Sequence, residues 1–148
     1  MKDHMLIENA EYIYTTLEGA VKPWIKVLCT QEREEVDKLR QLIDSSEYAT
    51  KFSYTQSSPY YYEILPKDVS KGTATQKLCE ILGIDNSNFF AVGDNENDME
   101  MIKLAGTGVA VQNASDKVKA CADLIAPHHN EDAMAWLINE IKNIKCLD

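Results

Sequence analysis

The run Gly93-Asp94-Asn95-Glu96-Asn97-Asp98 sets two aspartates four residues apart, with the amide of Asn97 beside the second. Carboxylates at this spacing suit magnesium. That ion takes hard oxygen ligands in octahedral geometry, usually one or two carboxylates with water and phosphate in the other positions. Asp94 is the candidate direct ligand. Asp98 is either an acceptor behind the metal or a ligand through water, and Asn97 offers a neutral donor and acceptor. Read alone, the run is equally an acidic loop whose Asp98 caps the next helix. Lys71 is the second element. It opens an expected helix, where a cation opposes the helix dipole. A lysine in that place suits an anion, either a phosphoryl group or clustered carboxylates. It also fits an ordinary solvated lysine, which is the reading given to Lys67.

The flanking elements decide whether these residues can work together. Residues 89–92 read as a short buried strand, and a helix is expected over 98–105. In open α/β sheets ligands bind beyond the carboxyl ends of strands, and Gly93-Asp94 falls there. Gly93 would let the backbone turn sharply and approach a ligand. From Pro66 onward helices and strands alternate. Ser70 caps a helix over 71–82 with Ala74, Leu78 and Ile81 inward and Gly83 just past its end. A strand over 108–111, a helix over 115–122 and a minimal strand at Leu124-Ile125 follow. Asn130 caps a last helix whose apolar stripe is Met134, Leu137, Ile138, Ile141 and Ile144. Alternation of this kind predicts a parallel sheet covered by helices.

Before Pro66 the rhythm is mixed. A helix is expected over 9–20 and a strand over 24–29. A second helix is capped by Thr30, with Val36, Leu39, Leu42 and Ile43 as its stripe. Strands over 48–55 and 60–65 are joined by a turn at 56–59. Tyr60, Tyr61 and Tyr62 read as strand-packing residues rather than ligand stackers.

The 148 residues are 45% apolar, enough for a buried core in one domain or two small ones. The net charge of −9 argues against nucleic acid as a partner, which needs clustered Lys and Arg. It also makes an anionic substrate dependent on a cation for local positive charge. No apolar run reaches the roughly 18 residues of a membrane span, and no secretory leader pattern is visible. A cytoplasmic protein without membrane contact is expected. Cys29, Cys79, Cys121 and Cys146 lack paired metal spacing and read as reduced thiols. His128 and His129 are expected to be exposed loop residues, because no third ligand of metal spacing accompanies them.

Several segments together resemble the C-terminal half of a haloacid dehalogenase-like phosphatase of the Cof type, the branch with a C2 cap. They are Glu63-Ile64-Leu65-Pro66 leading to Val69-Ser70-Lys71-Gly72, the stretch from Phe90 through Gly93-Asp94 to Ile102, Ala105 to Ala114, Val118-Lys119 and Ala122-Asp123. The resemblance implies an α/β fold: part of a Rossmann-like parallel core over 67–148, with part of an α+β cap over 1–66. It implies a magnesium-dependent enzyme acting on small phosphorylated metabolites, sugar phosphates by default. Lys71 and Asp98 would be catalytic, and Lys71 and Asn97 would bind phosphate or substrate. Asp94 and Asp98 would serve the metal.

The same resemblance defines a departure. The family's first motif, Asp-x-Asp-Gly-Thr after an apolar strand, carries the nucleophile and the general acid and base. No such run occurs in the chain. Lys2-Asp3-His4 and Val36-Asp37-Lys38 lack its context, and Ala133 stands where the family often has glycine. The chain is therefore expected to be an inactive fragment of such a phosphatase, or alternatively a non-catalytic remnant or regulatory binding module. A piece of a P-type ATPase shares the Gly-Asp-x-x-Asn-Asp signature but not the cap-like first half. The family's missing strand would lie beside residues 89–92. Its absence predicts an exposed edge, and self-association or pairing with the missing half.

Overall fold

The structure, a computed structural model, describes residues 15–16, 18–20 and 22–145. Two compact units divide it, Met1–Lys67 and Asp68–Asp148. The helix expected over 9–20 lies mostly outside the described residues, and its described part is turn rather than helix.

In the first unit β1 (Val27–Thr30) is followed by helix α1 (Arg33–Asp44), β2 (Ser53–Ser58) and β3 (Tyr61–Leu65). The strands form an antiparallel sheet in the order β1-β3-β2, with Cys29 opposite Tyr62 and Thr55 opposite Glu63. Thr30 does not cap α1. It pairs with Tyr61 as the last residue of β1, and Glu32 precedes the helix without a side-chain cap. Strand pairing satisfies more main-chain groups than a single cap would. Val36 is buried on α1, and Leu39 and Ile43 are half-buried on the same stripe. Leu42 is exposed, at the margin of that face. The hairpin turn is tighter and later than expected, at Pro59 and Tyr60, with a bulge between Thr55 and Ser58. Tyr62 is buried and its ring stacks on that of Tyr54, 5.9 Å between centroids. Glu63 is 9% exposed; Lys26 Nζ (2.8 Å) and Ser57 Oγ (2.6 Å) donate to its two oxygens. A carboxylate can be buried at tolerable cost when it is paired and hydrogen-bonded in this way.

The second unit holds the parallel sheet. α2 spans Lys71–Leu82, β4 Phe90–Gly93, α3 Met99–Leu104, β5 Thr107–Val111, α4 Asp116–Lys119, β6 Leu124–Ala126 and α5 Ala133–Lys145. Short 3-10 turns at Asn86–Asn88 and Glu96–Asp98 precede β4 and α3. The strand order is β4-β5-β6, all parallel, with Val92 opposite Val109 and Ala110 opposite Ile125. β5 is central. Its Val109, Ala110 and Val111 join Ile102, Val118, Ala126 and Leu137 in the core. Among the described residues β4 has a strand partner on one side only.

α2 is bounded as its sequence predicts. Ser70 and Thr73 form a capping box, and Gly83 closes the helix at φ +66°, where a side chain would be strained. Its buried face differs from expectation. Gly72 and Cys79 are buried, whereas Ala74 is exposed and Leu78 and Ile81 are 54% and 71% exposed. α5 begins later than expected. Residues 129–132 form turns, Asp132 takes φ +53°, and its carbonyl accepts from Trp136 N; Asn130 is not the cap. On α5 Leu137 is buried, but Met134 and Ile138 are exposed. Cys29, Cys79 and Cys121 are free thiols. Among the described residues no helix is long and apolar enough to cross a membrane.

Candidate active site

β4 ends at Gly93, so Asp94 stands at the carboxyl end of a parallel strand. The chain then folds back through the Glu96–Asp98 turn, which returns the Asp98 side chain beneath the strand tip. Asp98 is 3% exposed. Its Oδ2 accepts from Asp94 N and Asn95 N, both at 3.1 Å, and its Oδ1 accepts from Lys71 Nζ in an ion pair. Gly93 makes room for this. A Cβ there would lie 2.3 Å from Asp98 Cβ and 2.8 Å from Oδ2. Gly93 does not adopt positive φ, so close approach rather than turning is what this position requires. The object that approaches is the loop's own carboxylate.

Three of roughly four acceptor positions on the Asp98 carboxylate are thus filled. Its role in this arrangement is to brace the loop and hold Lys71. Burial raises its pKa, but the Lys71 ammonium and the amides of Asn95 and Asp94 lower it further, leaving it below the usual carboxylate range. Lys71 itself, half-exposed along its side chain, meets the clustered carboxylate that its position at the start of α2 suggested.

Asp94 has a different environment. Its main chain is pinned at both ends, N–H to Asp98 and C=O to Ser115 N at 3.4 Å, while its side chain is exposed. It borders an open cavity of about 430 Å³ that is also lined by Gly93, Val111, Asp132 and Met134. Asn97 Oδ1 is buried without a hydrogen-bond partner. Such orphaned acceptors are uncommon in native structures and point to a partner from outside the described residues. Glu96 accepts from Lys117 at 2.8 Å, tying the loop to α4.

Among the described residues no group of three or more His, Cys, Asp or Glu is placed to hold a metal. The donors the loop offers, the Asp94 carboxylate and the Asn97 amide oxygen, are hard oxygens of the kind magnesium takes. His129 borders the cavity and is exposed, and its ring meets that of His128 edge-on at 4.6 Å. His128 is half-buried and accepts from Asn130 N at 3.2 Å, a turn role.

Two residues at the site escape a sequence reading. Glu100, two positions after Asp98, accepts from the Ser70 hydroxyl and lies over Gly72. Ser115 donates its N–H to the Asp94 carbonyl. The only sequence signals are the acid in the first turn of α3 and the Ser-x-Gly around Lys71.

A family model described as haloacid dehalogenase-like hydrolase matches residues 2–138. The chain belongs to that family. Within it, the chain is 33% identical over 116 residues to the 5-amino-6-(5-phospho-D-ribitylamino)uracil phosphatase of Bacillus subtilis, covering 78% of this chain and 40% of that protein. It is 36% identical over 100 residues to a phosphoglycolate phosphatase of Archaeoglobus fulgidus, covering 68% and 43% respectively. Among solved structures, a haloacid dehalogenase-like hydrolase from Bacteroides thetaiotaomicron superposes with a TM-score of 0.79 at 27% identity. That match covers 95% of this chain and 53% of the other. The chain therefore spans less than half the length of these two curated relatives. The mixed α/β architecture with its parallel sheet is that of the haloacid dehalogenase-like fold.

Proposed function

We propose that these residues form part of a magnesium-dependent phosphatase for small phosphate esters, sugar phosphates being the leading class. The observation that carries this reading is the strand-tip arrangement in which Asp98 holds both the Lys71 ammonium and the Asp94 loop. Asp94 would hold magnesium, with Asn97 beside it. When bound, the ion supplies positive charge to phosphoryl oxygens in a chain of net charge −9. Lys71 binds the phosphate and offsets charge on the group being transferred. Asp98 keeps the lysine extended toward it. An ammonium already held in place needs no large rearrangement when the phosphate arrives. Residues 1–66 are read as part of the substrate-selecting cap, acting in the cytoplasm.

In this reading the aspartate that accepts the phosphoryl group, and the second that shuttles the proton, come from outside these residues. Among the described residues β4 is paired on one side only, which leaves an edge that a strand carrying those aspartates could take. The partner is a strand of the same kind, from the rest of such an enzyme or from a second copy.

The test is metal binding. Titrating the chain with manganese, a paramagnetic substitute for magnesium, should broaden the amide resonances of residues 93–98, and magnesium should reverse this by competition. Asp94→Ala should weaken the binding by at least about tenfold, the lower end of what losing even a hydrogen-bonding partner of a metal ligand costs. Broadening centred on another part of the chain, or unaffected by Asp94→Ala, would overturn the assignment.

A further inference from the structure

We propose that Glu100 is the positioning residue for Lys71, holding the residues on both sides of it. The bearing of this on phosphate handling rests on the function proposed for Lys71; the clamp itself stands on geometry. Lys71 lies between Ser70 and Gly72, and Glu100 engages both. The Ser70 hydroxyl donates to Glu100 Oε2. The capping box leaves that proton available. Ser70 Oγ accepts from Thr73 N at 3.0 Å, and Thr73 Oγ1 accepts from Ser70 N at 2.9 Å. Thr73 points its own proton at the Ser70 carbonyl, 3.2 Å away. The carboxylate is thus the best acceptor within reach. A second, weaker option for the Ser70 proton is Thr73 Oγ1 at 3.3 Å.

On the other side of Lys71, the Glu100 stem occupies the space a side chain at position 72 would need. A Cβ on Gly72 would lie 2.6 Å from Glu100 Cγ and 2.8 Å from its Cβ. Gly72 is buried beneath it.

The clamp has a consequence for distance. Glu100 sits in the first turn of α3, two residues after Asp98, the partner of the lysine. Fixing Ser70 and Gly72 to Glu100 therefore fixes the Lys71 Cα relative to the Asp98 carboxylate. A long lysine side chain that is half-exposed would otherwise lose much of its pairing to rotamer freedom. Glu100 acts through the start of α2 and need not touch phosphate or metal.

A charge effect is the rival account, because an acid near a lysine changes its reactivity at a distance. Two substitutions separate them. Glu100→Gln keeps an oxygen for the Ser70 hydroxyl and removes the charge. Glu100→Asp keeps the charge and withdraws the oxygen by one methylene.

The experiment reads Lys71 directly, on the full chain without metal or phosphate. Limiting acetic anhydride is applied, and acetylation at Lys71 is compared by peptide mass spectrometry with that at exposed Lys67 in the same sample. Glu100→Ala and Glu100→Asp should each raise the Lys71 to Lys67 ratio about fivefold, the factor to which a partly exposed ion pair corresponds. Glu100→Gln should match the unmodified chain. Equal ratios for the Gln and Ala variants would overturn the clamp in favour of charge. Unchanged ratios in the Asp and Ala variants would overturn any role. Glu100 is exposed, so the Gln and Asp pair decides the matter even where the Ala variant folds poorly. Since no metal is present, failure here is distinct from failure of manganese to bind at Asp94.

Discussion

Asp98→Ala lowers the unfolding free energy by about 3 kcal/mol, measured by urea denaturation of the chain at neutral pH. The Lys71 pair supplies the smaller share. Its ammonium is half-exposed, and such a pair is worth no more than about 1 kcal/mol. The larger share comes from the amides of Asp94 and Asn95, which lose a charged acceptor inside a closed turn. Asp98→Asn should lose less, about 1–2 kcal/mol, because its amide oxygen still accepts from both N–H groups while its NH2 faces the lysine. The two variants also differ from the unmodified chain in acid. The folded-state pKa of Asp98 is depressed, so its contribution is complete above the unfolded value of about 3.9 and fades as pH falls through the folded value. As pH falls below about 4, the unmodified chain should therefore lose an increment of stability that the Asn variant does not. Parallel stability curves for the two over that window would show that Asp98 does not titrate as the geometry requires.

The chain alone should hydrolyse an aryl phosphate with magnesium at least about 10⁴-fold more slowly than a complete phosphatase of its family assayed beside it. In the proposed reading Lys71 binds the phosphate while Asp94 and Asn97 serve the metal, and none of the three is assigned the role of phosphoryl acceptor. Lys71 is committed to Asp98 as an ammonium. His129, on the cavity wall, is no substitute, since no carboxylate holds its ring in a general-base orientation among the described contacts. Magnesium-dependent turnover that disappears in Asp94→Ala would defeat this expectation and locate a nucleophile within the chain.

Much of the site is legible before any coordinates. The apolar run at 89–92 and the Gly-Asp that follows it place Asp94 at a strand tip, and Ser70 with Gly83 brackets α2, because caps and strand ends are local events. What is not legible is long-range. The spacing of Ala74, Leu78 and Ile81 identifies a shared face on α2, and they do share one; period alone says nothing of what covers it, and the packed face is the one bearing Gly72 and Cys79. Thr30 has a cap's chemistry, but pairing with Tyr61 claims it for β1. Nothing local marks Glu63 for burial, yet Lys26, far away in sequence, and Ser57, on the neighbouring strand, allow it. Glu100 is likewise one more acid in an acidic segment until α2 brings Ser70 and Gly72 to it.

The two aspartates of the loop differ in what would happen to them under relaxed selection. Asp98 ties down the main chain and a lysine, so a descendant freed from any chemistry would still be selected to retain it for folding. The Asp94 carboxylate points outward and supports nothing in the fold described here. It is the residue that would drift first to serine, alanine or lysine once phosphate handling ceased to matter. Substitution at Asp94 would therefore report on the site alone, whereas substitution at Asp98 reports first on the fold.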